Sequence, residues 1–97
     1  MFSVRIDPNG DILLAGRFDA TRVEEAYLVL DKLADSRRVN FKDLDYISSA
    51  GLGALLKTQK RLSASGHELT LINMNKMIRD VFRIARFDVV FKIEEQV

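Results

Sequence analysis

The sequence contains no cysteine, a single histidine at position 67 and one proline. Without thiols the chain cannot form disulfides, a thiolate nucleophile or a Cys-based zinc site. His67 stands alone beside Gly66, so it predicts neither a metal centre nor histidine-based acid–base catalysis, and we expect it at the surface. The lack of cysteine is typical of a reducing cytoplasm, which is where we expect the protein to work.

An excess of charge of one sign and a long apolar run are also missing. Fifteen Lys and Arg balance fourteen Asp and Glu, for a formal net charge of +1, so we expect no binding to the phosphate backbone of nucleic acid. No apolar run approaches a membrane span, and residues 1–5 lack the pattern of a signal peptide, so no membrane attachment is predicted. With 97 residues, of which 47% are hydrophobic and 30% charged, the chain should form one soluble domain over residues 1–97.

The motifs of common enzyme classes are absent or incomplete. Gly51-Leu52-Gly53 is a fragment of a dinucleotide-binding fingerprint, but the third glycine and the later acidic residue are missing. The P-loop and the Gly-x-Ser-x-Gly pattern do not occur. Asp43 and Asp45 are two residues apart and are interpreted as solvated loop acids. We therefore predict a protein that is not an enzyme and that needs no cofactor and no metal.

The first quarter of the chain predicts a hairpin followed by a helix. Phe2–Ile6 alternates apolar and polar side chains, which is typical of a strand near a sheet edge. Asp7–Asp11 collects turn-forming residues. Ile12–Gly16 is continuously apolar, which predicts a central strand covered on both faces. Thr21-Arg22-Val23-Glu24 has the capping-box pattern, so we expect the first helix to begin at Thr21.

The middle of the chain predicts a third strand and a second helix. Val39–Phe41 is interpreted as a short strand, followed by a polar turn at Lys42-Asp43 and the apolar stretch Leu44–Ile47. Beyond a pair of serines, leucines recur at helical spacing, and Ser65-Gly66 provides a stop because glycine tolerates the left-handed conformation. The buried stripe of this helix is predicted to contain Leu52, Leu55, Leu56 and Leu62.

The last third predicts strand, helix and strand. His67–Ile72 reads as a fourth strand and Val89–Ile93 as a fifth. Asn73 or Asn75 can cap the third helix, whose inward face is predicted to contain Ile78, Val81, Phe82 and Ala85. The element order is then β-β-α-β-α-β-α-β. Because single helices connect successive strands, we predict an α/β fold with a mixed, mostly parallel sheet of four to five strands and three helices.

The stretch from Ser48 to Gly53 is the strongest candidate for a functional site. Either serine can act as the N-cap of the second helix, a contribution of about 1 kcal/mol, and we favour Ser49. Two glycines in the first turns lower helix propensity by about 1 kcal/mol each. The small residues Ala50, Gly51 and Gly53 therefore indicate a close approach, either by a neighbouring strand or by a partner protein.

These residues resemble the STAS domain, a family that includes bacterial anti-sigma factor antagonists. Gly16-Arg17-Phe18-Asp19 resembles the family's Gly-x-Leu/Phe-Asp before the first helix. Leu44–Leu52 resembles its signature loop, which usually ends in Asp-Ser-Ser/Thr-Gly-Leu, and Gly66 precedes a strand as in the family. The resemblance covers nearly the whole chain.

The resemblance implies a phosphorylation switch. In the family, an anti-sigma factor that is also a serine kinase of the Bergerat-fold type phosphorylates the serine that corresponds to Ser49, with Ser48 as the second candidate here. A phosphatase that acts on the phosphoserine is a further implied partner. The implied partner-binding residues are Asp19, Asn40, Ser48, Ser49, Ala50, Gly51 and Gly53.

Three residues depart from the family pattern, and one of them is Ala50, which follows Ser49 where the family has Ser or Thr. Ser48 stands where the family usually has Asp, and Asn40 stands where members often carry an Asp in the third strand. A second hypothesis therefore stays open at this point, namely a constitutive interaction or scaffold module in which the serines only cap the helix.

Overall fold

Five strands and three helices follow one another in the predicted order. A computed structural model describes residues 1–94. The elements are β1 (Phe2–Ile6), β2 (Ile12–Phe18), α1 (Val23–Leu30), β3 (Arg37–Ile47), α2 (Ser49–Ser63), β4 (Leu69–Ile72), α3 (Lys76–Ile84) and β5 (Lys92–Glu94). Short 3-10 turns at Ala20–Arg22 and Phe87–Val89 precede α1 and β5. The predicted α/β class and order are confirmed, although β5 begins three residues later than expected because the 3-10 turn occupies Val89.

The sheet is mixed and mostly parallel, as predicted. Its strand order is β1-β2-β3-β4-β5. β1 pairs with β2 in antiparallel fashion, and the other three pairings are parallel. β1 is therefore an edge strand, as its alternating pattern predicts.

Only one face of the sheet is covered by helices. Parallel neighbours that succeed one another in chain order and are joined by right-handed crossovers place all their helices on the same side. Burial follows this arrangement, since Val39 and Phe41 are fully buried while Arg38 and Asn40 on the other face are only half-buried. The prediction that both faces of β2 are covered is wrong, because the half-buried Leu13 belongs to this uncovered side. We call it the open face.

Aromatic rings fill the space between the sheet and the helices. Phe82 of α3 is fully buried, and its ring centroid lies 5.9 Å from that of Phe41 and 5.8 Å from that of Phe91. Near the other edge, the rings of Phe2 and Phe18 are 4.8 Å apart. Burial of each such side chain contributes roughly 1.5–3 kcal/mol to the free energy of folding. The aromatic core therefore stabilises the sheet near both of its edges.

β3 is one continuous strand of eleven residues. The predicted turn at Lys42-Asp43 is wrong. Leu13 of β2 pairs with Asn40 and Ala15 pairs with Asp43, so β3 contains one more residue than β2 at this point. Such a bulge accommodates an extra residue without ending the strand. At this bulge the Asn40 side chain accepts a hydrogen bond of 2.9 Å from the backbone N–H of Lys42.

The start of α1 also differs from the prediction. Asp19 is the N-cap of the 3-10 turn, and its carboxylate accepts hydrogen bonds from the backbone N–H and the hydroxyl of Thr21. Thr21 itself lies inside the 3-10 turn, and the N-cap of α1 is Arg22, so the predicted capping box does not form and α1 begins at Val23. Asp19, two residues before Thr21, provides the capping side chain at the start of this 3-10 turn.

The end of α3 corrects one predicted core residue. Asn75 is the N-cap and accepts a 2.9 Å hydrogen bond from the N–H of Ile78, so one of the two predicted caps is confirmed. Ile78 and Phe82 are buried as expected. Ala85 is exposed because α3 ends at Ile84 and Ala85 is already its C-cap.

Candidate functional site

A single residue, Ser48, connects β3 to α2. Its backbone is extended (φ −90°, ψ 173°), while Ser49 is already the first helical residue. The Ser48 hydroxyl accepts a hydrogen bond of 3.2 Å from the N–H of Gly51, and the Ser48 N–H donates a 2.9 Å hydrogen bond to the carbonyl of Phe18. The N-cap of α2 is therefore Ser48, and the interpretation of Ser49 as the cap is wrong because a cap requires the extended backbone that only Ser48 has.

Ser49 is an exposed hydroxyl at the first position of α2. Within residues 1–94 its side chain makes no hydrogen bond to the protein. The neighbouring Ala50 is half-buried. The serine that does not cap the helix is thus the one that a second molecule can reach.

The two glycines of α2 serve different purposes. A Cβ at Gly51 would lie 2.9 Å from the Phe18 carbonyl oxygen and 2.9 Å from Cγ1 of Ile47. The close packing of α2 against Phe18 of β2 and Ile47 of β3 therefore requires a glycine at position 51. A Cβ at Gly53 would meet nothing within 4 Å, and Gly53 is exposed. The fold does not require this second glycine.

Asp19 lies beside Ser48 at the carboxyl ends of β2 and β3. The hydrogen bond between Phe18 and Ser48 brings the residues that follow these strands together. The Thr21 hydroxyl, by donating to the carboxylate, lowers the pKa of Asp19 below its usual value, and the charges of Arg17 and Arg22 act in the same direction. Asp19 is consequently a carboxylate at neutral pH. We call Asp19, Ser48 and Ser49 together the serine edge.

Asn40 is not part of the serine edge. It pairs with Leu13, whereas Ile47 at the end of β3 pairs with Phe18. Phe18 lies five positions after Leu13 in β2, which corresponds to about 17 Å of strand. The Asn40 side chain instead accepts a hydrogen bond of 3.2 Å from the Asn73 amide.

An arginine and a tyrosine on the open face adjoin the serine edge. Arg17 pairs with Tyr46 across β2 and β3, and its guanidinium carbon lies 4.3 Å from the centre of the tyrosine ring. Our sequence analysis did not single out either residue. Counting back two positions from Asp19 and from Ser48 would have placed them on the same face, but only the register shows that they meet.

Two surface grooves lie away from the serine edge. One of about 480 Å³ is lined by Arg37, Arg38 and Glu68 among others, and one of about 510 Å³ by Arg79 and Arg83 of α3 among others. Neither includes a serine-edge residue. In the part of the chain that the structure describes, no group of three or more His, Cys, Asp or Glu is arranged to hold a metal ion, and no helix is long and apolar enough to cross a bilayer.

The assignment of the cap makes a testable prediction. Replacement of Ser48 by alanine should lower the free energy of unfolding by about 1 kcal/mol, because the N–H of Gly51 loses its acceptor. In a domain of this size the melting temperature should fall by about 4–8 °C. Thermal denaturation followed by circular dichroism measures this, with Ser49→Ala as the control, which should leave the melting temperature nearly unchanged. A larger loss for Ser49→Ala would contradict the assignment.

Comparisons with known proteins agree with the fold described above. A model of the STAS domain matches residues 7–97. A search of curated proteins finds no significant match. Among solved structures, the anti-sigma factor antagonist SpoIIAA in its unphosphorylated form aligns with a TM-score of 0.72 at 18% identity, covering 100% of this chain and 90% of that one.

Two further solved structures are similar. SpoIIAA of Bacillus in its phosphorylated form aligns with a TM-score of 0.73 at 18% identity, covering 100% of this chain and 92% of that one. A Thermotoga maritima protein, provisionally assigned as an anti-sigma factor antagonist, gives a TM-score of 0.77 at 20% identity, with 100% and 87% covered. At these identities the likeness establishes a shared fold.

Proposed function

Because the chain belongs to the STAS domain family, we propose that it is an anti-sigma factor antagonist. The unmodified protein binds an anti-sigma factor that is also a serine kinase of the Bergerat-fold type, and this binding releases a sigma factor. Phosphorylation of Ser49 reverses the interaction, and a phosphatase restores it. One observation supports the proposal above others: Ser49 is an exposed hydroxyl, without a role in the fold, at the start of a helix whose backbone is held in place by its neighbours.

In this proposal the protein is a binding partner and a substrate, and it is not itself an enzyme. It works in the cytoplasm and needs no cofactor, nucleic acid or membrane. The names of the solved neighbours agree with such a role, since SpoIIAA is described as an anti-sigma factor antagonist and is known in unphosphorylated and phosphorylated forms.

The phosphoryl transfer requires little from this chain. The Ser49 oxygen attacks the γ-phosphorus of ATP bound to the kinase, the new O–P bond forms as the bond to the β-phosphate oxygen breaks, and the hydroxyl proton passes to a base of the kinase. ADP is the leaving group. The chain contributes the nucleophile and its position, and the hydrogen bond between Ser48 and Gly51 holds that position before and after the reaction.

The phosphate should act on binding and leave the fold unchanged. It adds about 1.5 to 2 negative charges, and the Ser49 hydroxyl forms no hydrogen bond that modification would break. Burying an unpaired dianion in an interface costs several kcal/mol. A partner that rests on the first turn of α2 would therefore dissociate.

The surface around Ser49 suits a close contact. Gly53 follows one turn later, is exposed, and has open space where a side chain could project. A glycine that the fold does not require leaves the helix backbone accessible to a docked protein. We accordingly propose Gly53 and Ala50 as contact residues, together with Asp19 and Ser48. Gly51 allows α2 to pack closely on the sheet beneath this surface. Asn40 lies about 17 Å away along the strand, so only a wide interface would reach it.

The alternative is a constitutive interaction module without a switch. It is motivated by the uncharged residues Asn40 and Ser48 at the two positions where the family often carries Asp.

Mass spectrometry separates the two functions. The protein is incubated with ATP and a serine kinase of the Bergerat-fold type that binds it, alongside Ser49→Ala and Ser48→Ala variants. Stoichiometric phosphate on the parent and on Ser48→Ala, with none on Ser49→Ala, is the expected result. A stable complex in which neither serine acquires phosphate would favour the constitutive module and reject the switch.

A further inference from the structure

Large apolar side chains are exposed on one flank of α3. Met77 is 62% exposed and Ile84 is 78% exposed, and the half-buried Val81 lies between them. Because these residues are spaced by four and three positions, they share one side of the helix. The opposite flank contains Arg79, which lines a groove together with Ile93 of β5. The apolar flank of α3 therefore faces away from the β5 edge of the sheet and toward α2.

The hydrogen bonds of α2 show which of its flanks faces α3. The Arg61 guanidinium donates hydrogen bonds of 2.7 and 2.8 Å to the carbonyls of Leu33 and Leu30, so the flank that contains Arg61 faces α1. On the other flank, the Gln59 amide donates a 3.5 Å hydrogen bond to the carbonyl of Val90, in the chain that follows α3. The Gln59 side of α2 is thus the side next to α3.

An apolar groove runs between these two helices. Leu52 and Leu56 precede Gln59 by seven and three positions, so they lie on the flank of α2 that faces α3. Leu52 is buried at the base of the groove and Leu56 is half-buried. We call the surface formed by these two leucines and the apolar flank of α3 the α2–α3 groove, and its residues are Leu52, Leu56, Met77, Val81 and Ile84.

Ser49 stands at one end of the α2–α3 groove. It precedes Leu52 by three positions and Leu56 by seven, which places it on the same flank of α2. At the other end, the hydrogen bond between Gln59 and Val90 brings the chain that follows α3 against α2. From Ser49 to Gln59 the helix rises about 15 Å, which corresponds to about three turns of a helix laid alongside.

Positive charge is in excess on the outer rim of the groove. Lys60 is exposed on α2, one turn after Leu56. On α3, the Lys76 ammonium and the Arg83 guanidinium share the carboxylate of Asp80, at 3.2 and 3.0 Å. Asp80 is the only acidic residue in the two helices. A partner that presents acidic side chains beside apolar ones complements this rim.

We propose that the α2–α3 groove binds an amphipathic helix of the anti-sigma factor, with apolar residues that fill the groove and acidic residues that meet its rim. The identity of the partner rests on the proposed function, and the groove adds the surface that holds this partner. A helix bound in a groove uses anchors at i, i+3, i+4 and i+7, which about three turns provide. A phosphate on Ser49 places negative charge at the end of the groove, where it repels an acidic helix.

Designed peptides test the groove without a kinase. One is a helical peptide with leucine at i, i+3, i+4 and i+7 and glutamate at the flanking positions, and the other has lysine in place of glutamate. NMR of the methyl groups of the full chain follows both titrations. The glutamate peptide should shift the methyl signals of the groove residues and leave those of Leu28, which is 69% exposed on α1, unchanged. The lysine peptide should bind several-fold more weakly, because its charges repel the rim.

Four results of the titrations would overturn the proposal. The first two are an absence of saturable shifts at the groove methyl groups and equal affinity for the two peptides. Shifts of the same signals on dilution of the protein alone would assign the groove to a second copy of the chain. Stronger shifts with vesicles of anionic phospholipid would assign it to a membrane surface.

Affinity for a serine kinase of the Bergerat-fold type that binds the parent chain provides the second arm. The double variant Met77→Gln/Ile84→Gln should raise Kd by about tenfold or more, since two apolar contacts are lost. Leu28→Gln, which changes an exposed leucine on α1, is the matched control and should leave Kd nearly unchanged. Isothermal titration calorimetry measures Kd, and circular dichroism confirms that each variant is folded.

Failure of the groove and failure of the proposed function give different results. An unchanged Kd for the double variant, with stoichiometric phosphate on Ser49, would reject the groove and retain the switch. If no kinase of this class binds the parent chain, the proposed function fails, and the peptide titrations still decide whether the groove accepts an acidic amphipathic helix.

Discussion

Replacement of Gly51 by alanine is expected to lower the free energy of unfolding by about 2 kcal/mol. The new Cβ would lie 2.9 Å from the carbonyl oxygen of Phe18 and 3.1 Å from Cγ of the same residue. The carbonyl cannot move aside freely, because it accepts the hydrogen bond from the Ser48 N–H that joins β3 to β2. The start of α2 must therefore shift away from the sheet.

Urea denaturation of Gly51→Ala and Gly53→Ala provides a matched comparison. Both changes add one methyl group to α2, but at Gly53 that group meets open space. Gly53→Ala should stabilise the protein by about 0.5–1 kcal/mol, the usual gain from removing a glycine inside a helix. Opposite signs for the two variants are expected. Equal, small effects would show that α2 is not packed against Phe18 as described.

Ser49→Asp is expected to weaken binding to the cognate kinase by about 2 kcal/mol or more, which is roughly thirtyfold in Kd. The substitution imitates part of the charge of a phosphate at the proposed contact. Its stability should scarcely change, since a negative charge in the first turn of a helix is favourable by about 0.3–1 kcal/mol. Isothermal titration calorimetry and a thermal melt measure the two quantities.

Ser49→Asn is the appropriate control for this variant. Asparagine has nearly the same shape as aspartate but carries no charge, so a loss of affinity confined to Ser49→Asp identifies charge as the cause. Equal affinity of Ser49→Asp and the parent protein would contradict the proposed switch. Equal losses in both variants would instead indicate that the side chain is too large for the contact.

Local patterns were sufficient where the neighbouring residues determine the structure. The alternation in Phe2–Ile6 predicted an edge strand correctly, and Gly66 adopts the positive φ of 81° that a helix stop requires. Asn75 caps α3 because its side chain reaches an N–H only three residues away. Such features depend on short-range geometry, which a sequence records directly.

Predictions failed where residues that are distant in the sequence determine the local structure. The polar pair Lys42-Asp43 reads as a turn, yet the register with β2 keeps it in an extended strand. Ile12–Gly16 reads as buried on both sides, because an apolar run does not reveal that all three helices cross the same face. Asp19 and Thr21 both have capping side chains, and the choice between them depended on a backbone conformation.

The structure corrects details of the candidate site that the sequence could not reveal. Which serine caps α2 depends on a difference of one residue at a helix boundary, where sequence patterns are least informative. The need for Gly51 becomes evident only when the sheet brings Phe18 beneath it. Arg17 and Tyr46 meet across two strands that are separated by α1, and no local pattern links them.

The one-residue connection at Ser48 has a kinetic consequence. A site on a long loop must find its binding-competent shape, and that search slows association. Here the strand passes directly into the helix, and hydrogen bonds to Phe18 and Gly51 anchor the junction on both sides. A partner should therefore associate in one step, at the 10⁵–10⁷ M⁻¹s⁻¹ typical of rigid docking, and the lifetime of the complex is the quantity left for a modification to adjust.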